Sequence, residues 1–238
     1  MAIEVFKRFE KKYILDEHTM MQLQGRFAGL MEPDEYNIGQ ETYHIVNLYY
    51  DTAGSDIIRM SLSKPEYKEK LRLRGYGAPS ADSKVYLEIK KKVRGVVNKR
   101  RSGMTLDEAY AFLANGELPV FKPHMNQQVL KEIAYMLERK PLIPAICLSY
   151  DRRAFFGKEQ RDLRISFDTN VLTRRTDLGL EYGSYGNPLL PDGKWLMEIK
   201  VSTSIPLWVS RLLSELRIYP VGFSKYGTEY KKSLQMGA

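Results

Sequence analysis

Charged and apolar side chains alternate along Tyr67-Lys-Glu-Lys-Leu-Arg-Leu-Arg-Gly75, and again along Lys84-Val-Tyr-Leu-Glu-Ile-Lys-Lys-Lys-Val93. A period of two is typical of a β-strand, because successive side chains of a strand point to opposite faces. One face of the first stretch carries only basic residues, namely Lys68, Lys70, Arg72 and Arg74. The sequence therefore predicts two strands that each have one ionic face and one apolar face.

The same alternation continues on both sides of this pair. It predicts strands over residues 3–15, 44–51, 145–156, 163–172 and 194–202, and a short eighth strand near 219–223. Helical spacing and capping residues predict helices over 18–31, 105–115, 126–139, 207–218 and 228–234. No repeat or Ser/Gly-rich linker interrupts these elements. Residues 1–238 are therefore predicted to form a single domain.

Composition narrows the class of protein. Lys and Arg number 37 against 29 Asp and Glu, which gives 238 residues a formal charge of +8 and favours an anionic partner. A lone cysteine, Cys147, excludes a disulfide framework and a zinc site made of several thiolates. No apolar run approaches the length of a membrane span, and residues 1–7 lack the apolar stretch of a signal peptide. We expect a cytoplasmic protein without transmembrane segments.

The positive charge is concentrated on the predicted ionic faces. Twelve basic residues are assigned to them: Arg8, Lys12, Lys68, Lys70, Arg72, Arg74, Lys90, Lys92, Arg152, Arg164, Lys200 and Lys225. Four acidic residues accompany them: Glu10, Glu88, Asp168 and Glu198. An ordinary antiparallel sheet also alternates, but its solvent-facing residues are usually of mixed type. So many cations instead indicate the wet interior of a closed barrel that binds a polyanion, with carboxylates available to a divalent metal.

At this point the sequence resembles a known superfamily. Four segments in order resemble the triphosphate tunnel metalloenzymes: Arg8-Phe-Glu-Lys-Lys-Tyr-Ile-Leu, Tyr49-Tyr-Asp-Thr, Leu71-Arg-Leu-Arg and Leu87-Glu-Ile-Lys. Within that superfamily, four more resemble the VTC domain, the polyphosphate polymerase domain of vacuolar transporter chaperone complexes: Ser149-Tyr-Asp-Arg-Arg-Ala-Phe, Arg164-Ile-Ser-Phe-Asp-Thr, Met197-Glu-Ile-Lys and Phe223-Ser-Lys-Tyr. The resemblance spans residues 6–231.

The resemblance implies a fold and an activity. The fold would be α+β: an eight-stranded antiparallel β tunnel barrel with helices packed outside, as the alternation also suggests. The activity would be transfer of the γ-phosphoryl group of ATP to a growing inorganic polyphosphate chain, assisted by Mn²⁺ or Mg²⁺. The family's eukaryotic members also carry membrane segments and other domains, and that membrane coupling is not carried over to this chain.

The resemblance also implies roles for individual residues. The basic residues that match the family's phosphate-binding motifs are Lys12, Arg72, Arg74, Lys90, Arg152, Lys200 and Lys225. Further substrate-binding positions would be Arg8, Lys70, Lys92, Lys99, Arg101 and Arg164, with Glu10 and Glu88 orienting basic side chains or helping the metal through water. The family's metal-binding glutamate matches Glu198.

Two local questions stay open in the sequence. Alternation counted from Cys147 and Ser149 would turn Arg153 inward, whereas the family motif selects Arg152, and a β-bulge would reconcile the two. The run Lys99-Arg-Arg is either a solvated charge run just beyond a strand or part of the tunnel wall. Cys147 itself is interpreted as a buried small residue, and the three histidines are too scattered to suggest a metal site.

Two other functions compete with polymerisation. A hydrolase of the same fold would cleave tripolyphosphate or a nucleoside triphosphate with water as the nucleophile. A non-catalytic protein would bind polyphosphate or another polyanion without turnover. Specific nucleic-acid binding is disfavoured, because the aromatic residues fall mostly on the faces opposite the cations.

Overall fold

The computed structural model describes residues 9–94 and 96–236, which form one antiparallel sheet and the helices packed on it. The strands are β1 (Phe9–Asp16), β2 (Met31–Pro33), β3 (Tyr43–Asp51), β4 (Tyr67–Tyr76), β5 (Lys84–Val93), β6 (Val96–Thr105), β7 (Ile143–Gly157), β8 (Arg164–Arg174), β9 (Asn187–Pro188) and β10 (Lys194–Val201). The helices are α1 (Glu17–Gly25), α2 (Asp56–Leu62), α3 (Leu106–Asn115), α4 (Gln127–Arg139), α5 (Leu207–Glu215) and α6 (Lys225–Met236).

Eight long strands follow one another across the sheet in the order β1-β10-β8-β7-β3-β4-β5-β6, and short β2 and β9 pair with β7 and β8. Within the described part of the chain, no ladder joins the two end strands β1 and β6, so backbone hydrogen bonds do not close the sheet. A side-chain bond crosses the gap, because Lys90 of β5 donates to Glu10 of β1 at 2.8 Å. The predicted α+β fold with an eight-stranded antiparallel tunnel is confirmed, although long side chains complete the enclosure.

Most of the apolar core lies on the outer face of the sheet. Leu71, Leu73 and Ile89 are almost fully buried there, against Phe112 of α3 and Ile133 of α4. A second cluster joins the outer faces of β1, β8 and β10 to helices α1 and α5. Each fully buried Leu, Ile or Phe stabilises the fold by about 1.5–3 kcal/mol. Helices α1, α3, α4 and α5 cover the outer face. The opposite face carries the charged residues, next to a third apolar cluster that packs Ile58 of α2 and Tyr226 of α6 against β3 and β7.

Helix boundaries mostly follow the capping residues. The predicted start of α3 is confirmed by a complete capping box, in which Thr105 and Glu108 each accept the other's backbone N–H. Asn126 caps α4 by accepting from the backbone of Val129. Helix α1 ends at Gly25, earlier than predicted, and the chain then turns back into β2.

The predicted eighth strand near 219–223 is wrong. That segment has no strand conformation, and Pro220 and Gly222 in it are poor strand formers. Its Val221 N–H donates to the carbonyl of Lys12 in β1 at 2.7 Å, and Phe223 packs against an apolar cluster of the sheet. The eighth long strand is β6 instead, so Lys99-Arg-Arg lies inside a strand rather than beyond one.

The last helix is anchored on a buried carboxylate. Asp51, at the end of β3, accepts backbone N–H groups of Ile57 and Ile58 at 2.9 and 3.0 Å, which holds the first turn of α2. The hydroxyl of Tyr226 donates to the same carboxylate at 2.8 Å. Helix α6 therefore starts at a fixed point, and its first residue is Lys225.

We expect Tyr226→Phe to lower the free energy of unfolding by about 1.5–3 kcal/mol, because it removes a hydrogen bond to a buried charged group. Urea denaturation followed by circular dichroism measures this loss. Tyr230→Phe, on the same helix, is the matched control and should unfold like the wild type. Equal stability of Tyr226→Phe and wild type would contradict an anchoring role for this bond.

Candidate active site

The concave face of the sheet encloses a cavity of about 1110 Å³. Its wall is strongly basic, with three acidic residues against sixteen basic ones. The acidic residues are Glu10, Asp162 and Glu198, and the basic ones are Lys11, Lys12, Lys68, Lys70, Arg72, Arg74, Lys84, Lys90, Lys92, Lys99, Arg101, Arg152, Arg161, Arg164, Lys200 and Lys225. We call this cavity the tunnel. Its lining is that of a site for a highly charged anion.

The structure brings almost all of the predicted site residues together in this wall. Glu88 lies just behind it, fully buried, and contacts the basic residues from the back. Arg8 lies outside the described residues. The described candidates therefore share one side of the sheet; alternation placed most of them there, whereas Arg152, Lys99 and Arg101 were candidates through the family resemblance.

Strand β6 resolves the question of Lys99-Arg-Arg. Lys99 and Arg101 line the tunnel. Arg100 points to the outer face, where it and Lys91 form ion pairs with Glu132 of α4. The three adjacent cations thus split between the two faces of a strand, as the alternation of a strand requires.

Arg152 lies in the tunnel wall, as the family motif indicated. On the β3 side, β7 pairs in unbroken register from Tyr43–Arg152 to Tyr49–Ile146. Cys147 packs in the outer core, so it is Tyr150, not Cys147, that shares a face with Arg152. The assumption that Cys147 and Ser149 point inward was wrong, and no bulge against β3 is needed to place Arg152.

Arg153 consequently lies outside the tunnel. Its guanidinium donates to the side chain of Gln24 at 2.6 Å and pairs with Glu41. The two adjacent arginines of the motif therefore have different environments, one in the site and one on the outer face.

A buried carboxylate, Glu88, holds three basic residues of the wall. Arg72 donates to it at 2.7 Å, Lys99 lies 2.5 Å from its other oxygen, and Arg74 lies 3.9 Å away. Burial alone would raise the pKa of Glu88, but the charges of Arg72 and Arg74 outweigh it and hold the pKa well below its usual range. Glu88 therefore stays ionised and fixes the direction of these side chains.

Asp168 plays the same part on the other side of the tunnel. Arg152 binds it with two parallel hydrogen bonds of 2.6 and 2.8 Å, and Lys225 forms a further ion pair. Burial opposes ionisation of Asp168, but Arg152 and Lys225 lower its pKa to about 2. Sequence reasoning placed Asp168 on the inner face, and the structure shows it beneath these two cations.

Glu198 reaches the tunnel surface among three lysines. The Nζ atoms of Lys200, Lys12 and Lys225 lie 2.7, 3.2 and 3.7 Å from its carboxylate oxygens. Burial would raise the pKa of Glu198, but these charges hold it well below its usual range. An ionised carboxylate in a phosphate-binding wall is the kind of ligand that Mg²⁺ and Mn²⁺ take.

Within the described ranges, no group of three or more His, Cys, Asp or Glu side chains could hold a metal by itself. Mg²⁺ commonly needs only one or two protein carboxylates, with substrate phosphates completing its coordination. The donor set around Glu198 fits that second kind of site and does not fit an all-protein metal cage.

Lys70 differs from the ion-paired cations. Its ammonium group donates to the hydroxyl of Ser224 at 3.3 Å and lies 5.9 Å from the ring centre of Tyr226. Burial and the neighbouring charges of Lys12 and Lys90 lower the pKa of Lys70 to about 7. Its charge therefore changes near neutral pH.

Sequence reasoning missed four tyrosines and three basic residues of the wall: Tyr49, Tyr86, Tyr150, Tyr226, Lys11, Lys84 and Arg161. Tyr150 accepts a hydrogen bond from Arg74 at 3.3 Å, and its ring lies 4.4 Å from the ammonium group of Lys225. Tyr49 accepts from Arg72 at 3.1 Å. Tyr150 lies two residues before Arg152 and shares its face, so the alternation could have identified it. A tyrosine is ambiguous in a sequence, because the same residue type also packs in apolar cores.

Comparisons with known proteins agree with the geometry of the tunnel. A sequence model of the VTC domain family matches residues 7–234. The vacuolar transporter chaperone complex subunit 4 of Schizosaccharomyces pombe is 25% identical over 229 residues, which cover 79% of this chain and 31% of that protein. The chain thus spans about a third of the length of this curated relative.

Solved structures show the same fold at low identity. A candidate adenylate cyclase from Bacillus halodurans superposes with a TM-score of 0.57 at 13% identity, covering 93% of this chain and 96% of that one. A candidate adenylyl cyclase from Hippeastrum, described as having a dominant triphosphatase activity, gives 0.50 at 17% identity, covering 97% and 96%. Among the described residues of this chain, no helix has both the length and the apolar character needed to cross a bilayer.

The two faces of β6 allow a matched test of phosphate binding. We expect Arg101→Met to weaken binding of inorganic tripolyphosphate about tenfold or more, since it removes a charge-assisted hydrogen-bond donor from the wall. Arg100→Met removes the same charge from the outer face and should bind like the wild type. Isothermal titration calorimetry measures both. Equal losses in the two variants would mean that only overall charge matters.

Lys70 predicts a pH dependence. Below about pH 7 it is protonated and attracts phosphate, and above that pH the empty tunnel loses this charge. A bound polyanion favours the charged form, so binding at pH 8 should take up roughly one proton more in the wild type than in Lys70→Met. Calorimetry in buffers of different ionisation enthalpy counts these protons. The same proton uptake in both proteins would refute the assignment.

Proposed function

The chain belongs to the VTC domain family, and on that basis we propose that it transfers the γ-phosphoryl group of ATP to a growing inorganic polyphosphate chain, with Mg²⁺ or Mn²⁺ as cofactor. The observation that carries the proposal is the enclosed tunnel, whose basic side chains come from strands far apart in the sequence. A polyphosphate chain offers a row of anionic oxygens that matches such a wall along its length.

The first task of the tunnel is to hold the triphosphate of ATP. We assign this task to Arg72, Arg74, Lys90 and Arg152. Glu88 and Asp168 fix the arginines from behind, which leaves their remaining N–H groups free to face phosphate oxygens. Because the carboxylates already hold these side chains in place, little conformational entropy is lost when the substrate binds.

The metal ion would be held by Glu198 together with phosphate oxygens. When bound, it would withdraw charge from the transferring phosphoryl group. Glu10 lies close enough for its charge to act on that of Glu198, and it pairs with Lys90 at 2.8 Å. In the empty tunnel the lysines around Glu198 neutralise it, and they can turn to phosphate oxygens once the substrate is present.

Lys12, Lys200 and Lys225 surround the position where the phosphoryl group would be transferred. Phosphoryl transfer needs positioning and charge neutralisation more than covalent chemistry, and these three ammonium groups supply both. The nucleophile would be a terminal phosphate oxygen of the acceptor chain. It is already ionised at neutral pH, so no general base is required. ADP is then released, and the lengthened chain stays in the tunnel.

A cytoplasmic location is part of the proposal. The ATP that the proposed reaction consumes is available there.

The proposal is tested by incubating the pure protein with ATP and Mn²⁺ and separating the products on a gel that stains polyphosphate. Long chains together with ADP support polymerisation. Orthophosphate without chains would identify a hydrolase, and ligand binding without turnover would identify a polyanion-binding protein. Either of these results would overturn the polymerase assignment.

We expect Glu198→Gln to lower metal-dependent turnover about 100-fold, because an amide cannot supply the anionic ligand. Glu229→Gln is the matched control, since Glu229 is also a buried, ion-paired glutamate but binds Arg175 outside the tunnel. Circular dichroism confirms that both variants fold. Turnover of Glu198→Gln at the wild-type rate would show that the metal is held elsewhere.

A further inference from the structure

Four tyrosines form a continuous aromatic cluster beside the tunnel. The rings of Tyr36 and Tyr76 are stacked with an interplanar angle of 1° and centroids 5.3 Å apart. Tyr86 meets Tyr76 edge-on at 6.1 Å, and Tyr43 contacts both Tyr36 and Tyr76. We call Tyr36, Tyr76 and Tyr86 the aromatic rim. Tyr43 is buried behind the rim, where its hydroxyl accepts a hydrogen bond from Arg164.

The aromatic rim adjoins the residues assigned to the triphosphate. Tyr86 lies in the tunnel wall and is the direct cross-strand partner of Arg74. The guanidinium of Arg101 lies over the ring of Tyr86 at 4.4 Å. Cross-strand neighbours on one face are about 5 Å apart. The ring of Tyr86 therefore lies directly beside Arg74, one of the cations assigned to the triphosphate.

The aromatic rim is not a sealed part of the core. Tyr36 is 43% exposed although it stacks on Tyr76, and it belongs to none of the three buried clusters of the fold. It sits in a short 3₁₀ turn, Glu35–Asn37, whose first residue is preceded by the capping carboxylate of Asp34. Tyr36 therefore offers a flat, partly exposed aromatic surface that is held in place by its stacking on Tyr76.

We propose that the aromatic rim stacks the base of the nucleoside triphosphate substrate while the triphosphate enters the tunnel. The inference rests on the proposed function, because it assumes that the tunnel takes a nucleotide. Stacking on tyrosine needs only the flat face of a base, and an arginine beside the ring adds a cation–π contribution. Polyphosphate has no base, so the rim distinguishes the phosphoryl donor from the acceptor chain.

The experiment compares two ligands that share the triphosphate and differ in the nucleoside. ATP and inorganic tripolyphosphate are titrated into wild type, Tyr36→Leu and Tyr86→Leu by calorimetry, in the same salt. We expect each substitution to weaken ATP binding about fivefold or more, as loss of one base–aromatic stack should. Tripolyphosphate affinity should stay within about twofold of wild type in Tyr36→Leu, because Tyr36, unlike Tyr86, is not a residue of the tunnel lining. Tyr36→Trp should retain tight ATP binding, because it restores a stacking face.

Tyr135→Leu is the matched control. Tyr135 is an exposed tyrosine with an arginine, Arg139, over its ring at 5.5 Å, but it lies on helix α4 outside the tunnel. It should bind both ligands like the wild type. Circular dichroism spectra of all variants confirm folding, and Tyr36→Leu, with an already exposed side chain, provides the test if Tyr86→Leu fails to fold.

The outcomes separate the two proposals. A wild type that binds neither ligand overturns the proposed function together with this inference. A wild type that binds both, with a Tyr36→Leu variant that weakens both ligands equally or neither, overturns the aromatic rim as a base site and leaves the phosphate tunnel intact.

Discussion

The structure depends on how a dense group of positive charges is tolerated inside a small protein. Repulsion among so many cations around one cavity opposes folding, and water in the tunnel screens it only in part. Three buried carboxylates, Glu88, Asp168 and Glu198, each contact two or more of these cations. Removing one of them would leave its basic partners uncompensated, which costs more than the loss of an ordinary surface ion pair. The anions inside the wall therefore offset part of the destabilisation that the cations cause.

The same arrangement explains why the apolar core lies outside the sheet. An alternating strand can offer only one face to water, and here the concave face is wet and ionic. Burial must come from the convex face, so Leu71, Leu87 and their neighbours are covered by α3 and α4. Helices α2 and α6 contribute Ser61 and Lys225 to the tunnel wall, whereas α3 and α4 do not form the site. They supply the burial that lets the strands hold charged side chains towards one another.

The alternation made much of this predictable. Strands β4 and β5 and the side on which Arg72, Arg74 and Lys90 lie follow from the period of two alone. Strand β6 was missed because Val96–Thr105 carries three consecutive cations, a pattern that also suits a solvated loop. Its pairing with β5 is local, because Val96 lies directly opposite Val93 and the two strands form a hairpin. The error over Cys147 has a similar origin, since a strand buried on both faces gives no local sign of which face is inward.

The tunnel is not uniform along its length, and the difference lies in how its cations are held. Arg72 and Arg152 are bound by carboxylates, which keeps their charge and direction fixed. Lys68 and Lys70 instead donate to neutral oxygens of Ser61 and Ser224, and burial lowers the pKa of both lysines. A fixed cation binds a phosphate without reorganisation, whereas a lysine on a flexible stem follows a moving ligand. The proposed polymerisation, in which one phosphoryl group is held while a chain advances, would use both kinds of residue, and the buried carboxylates determine where each kind is found.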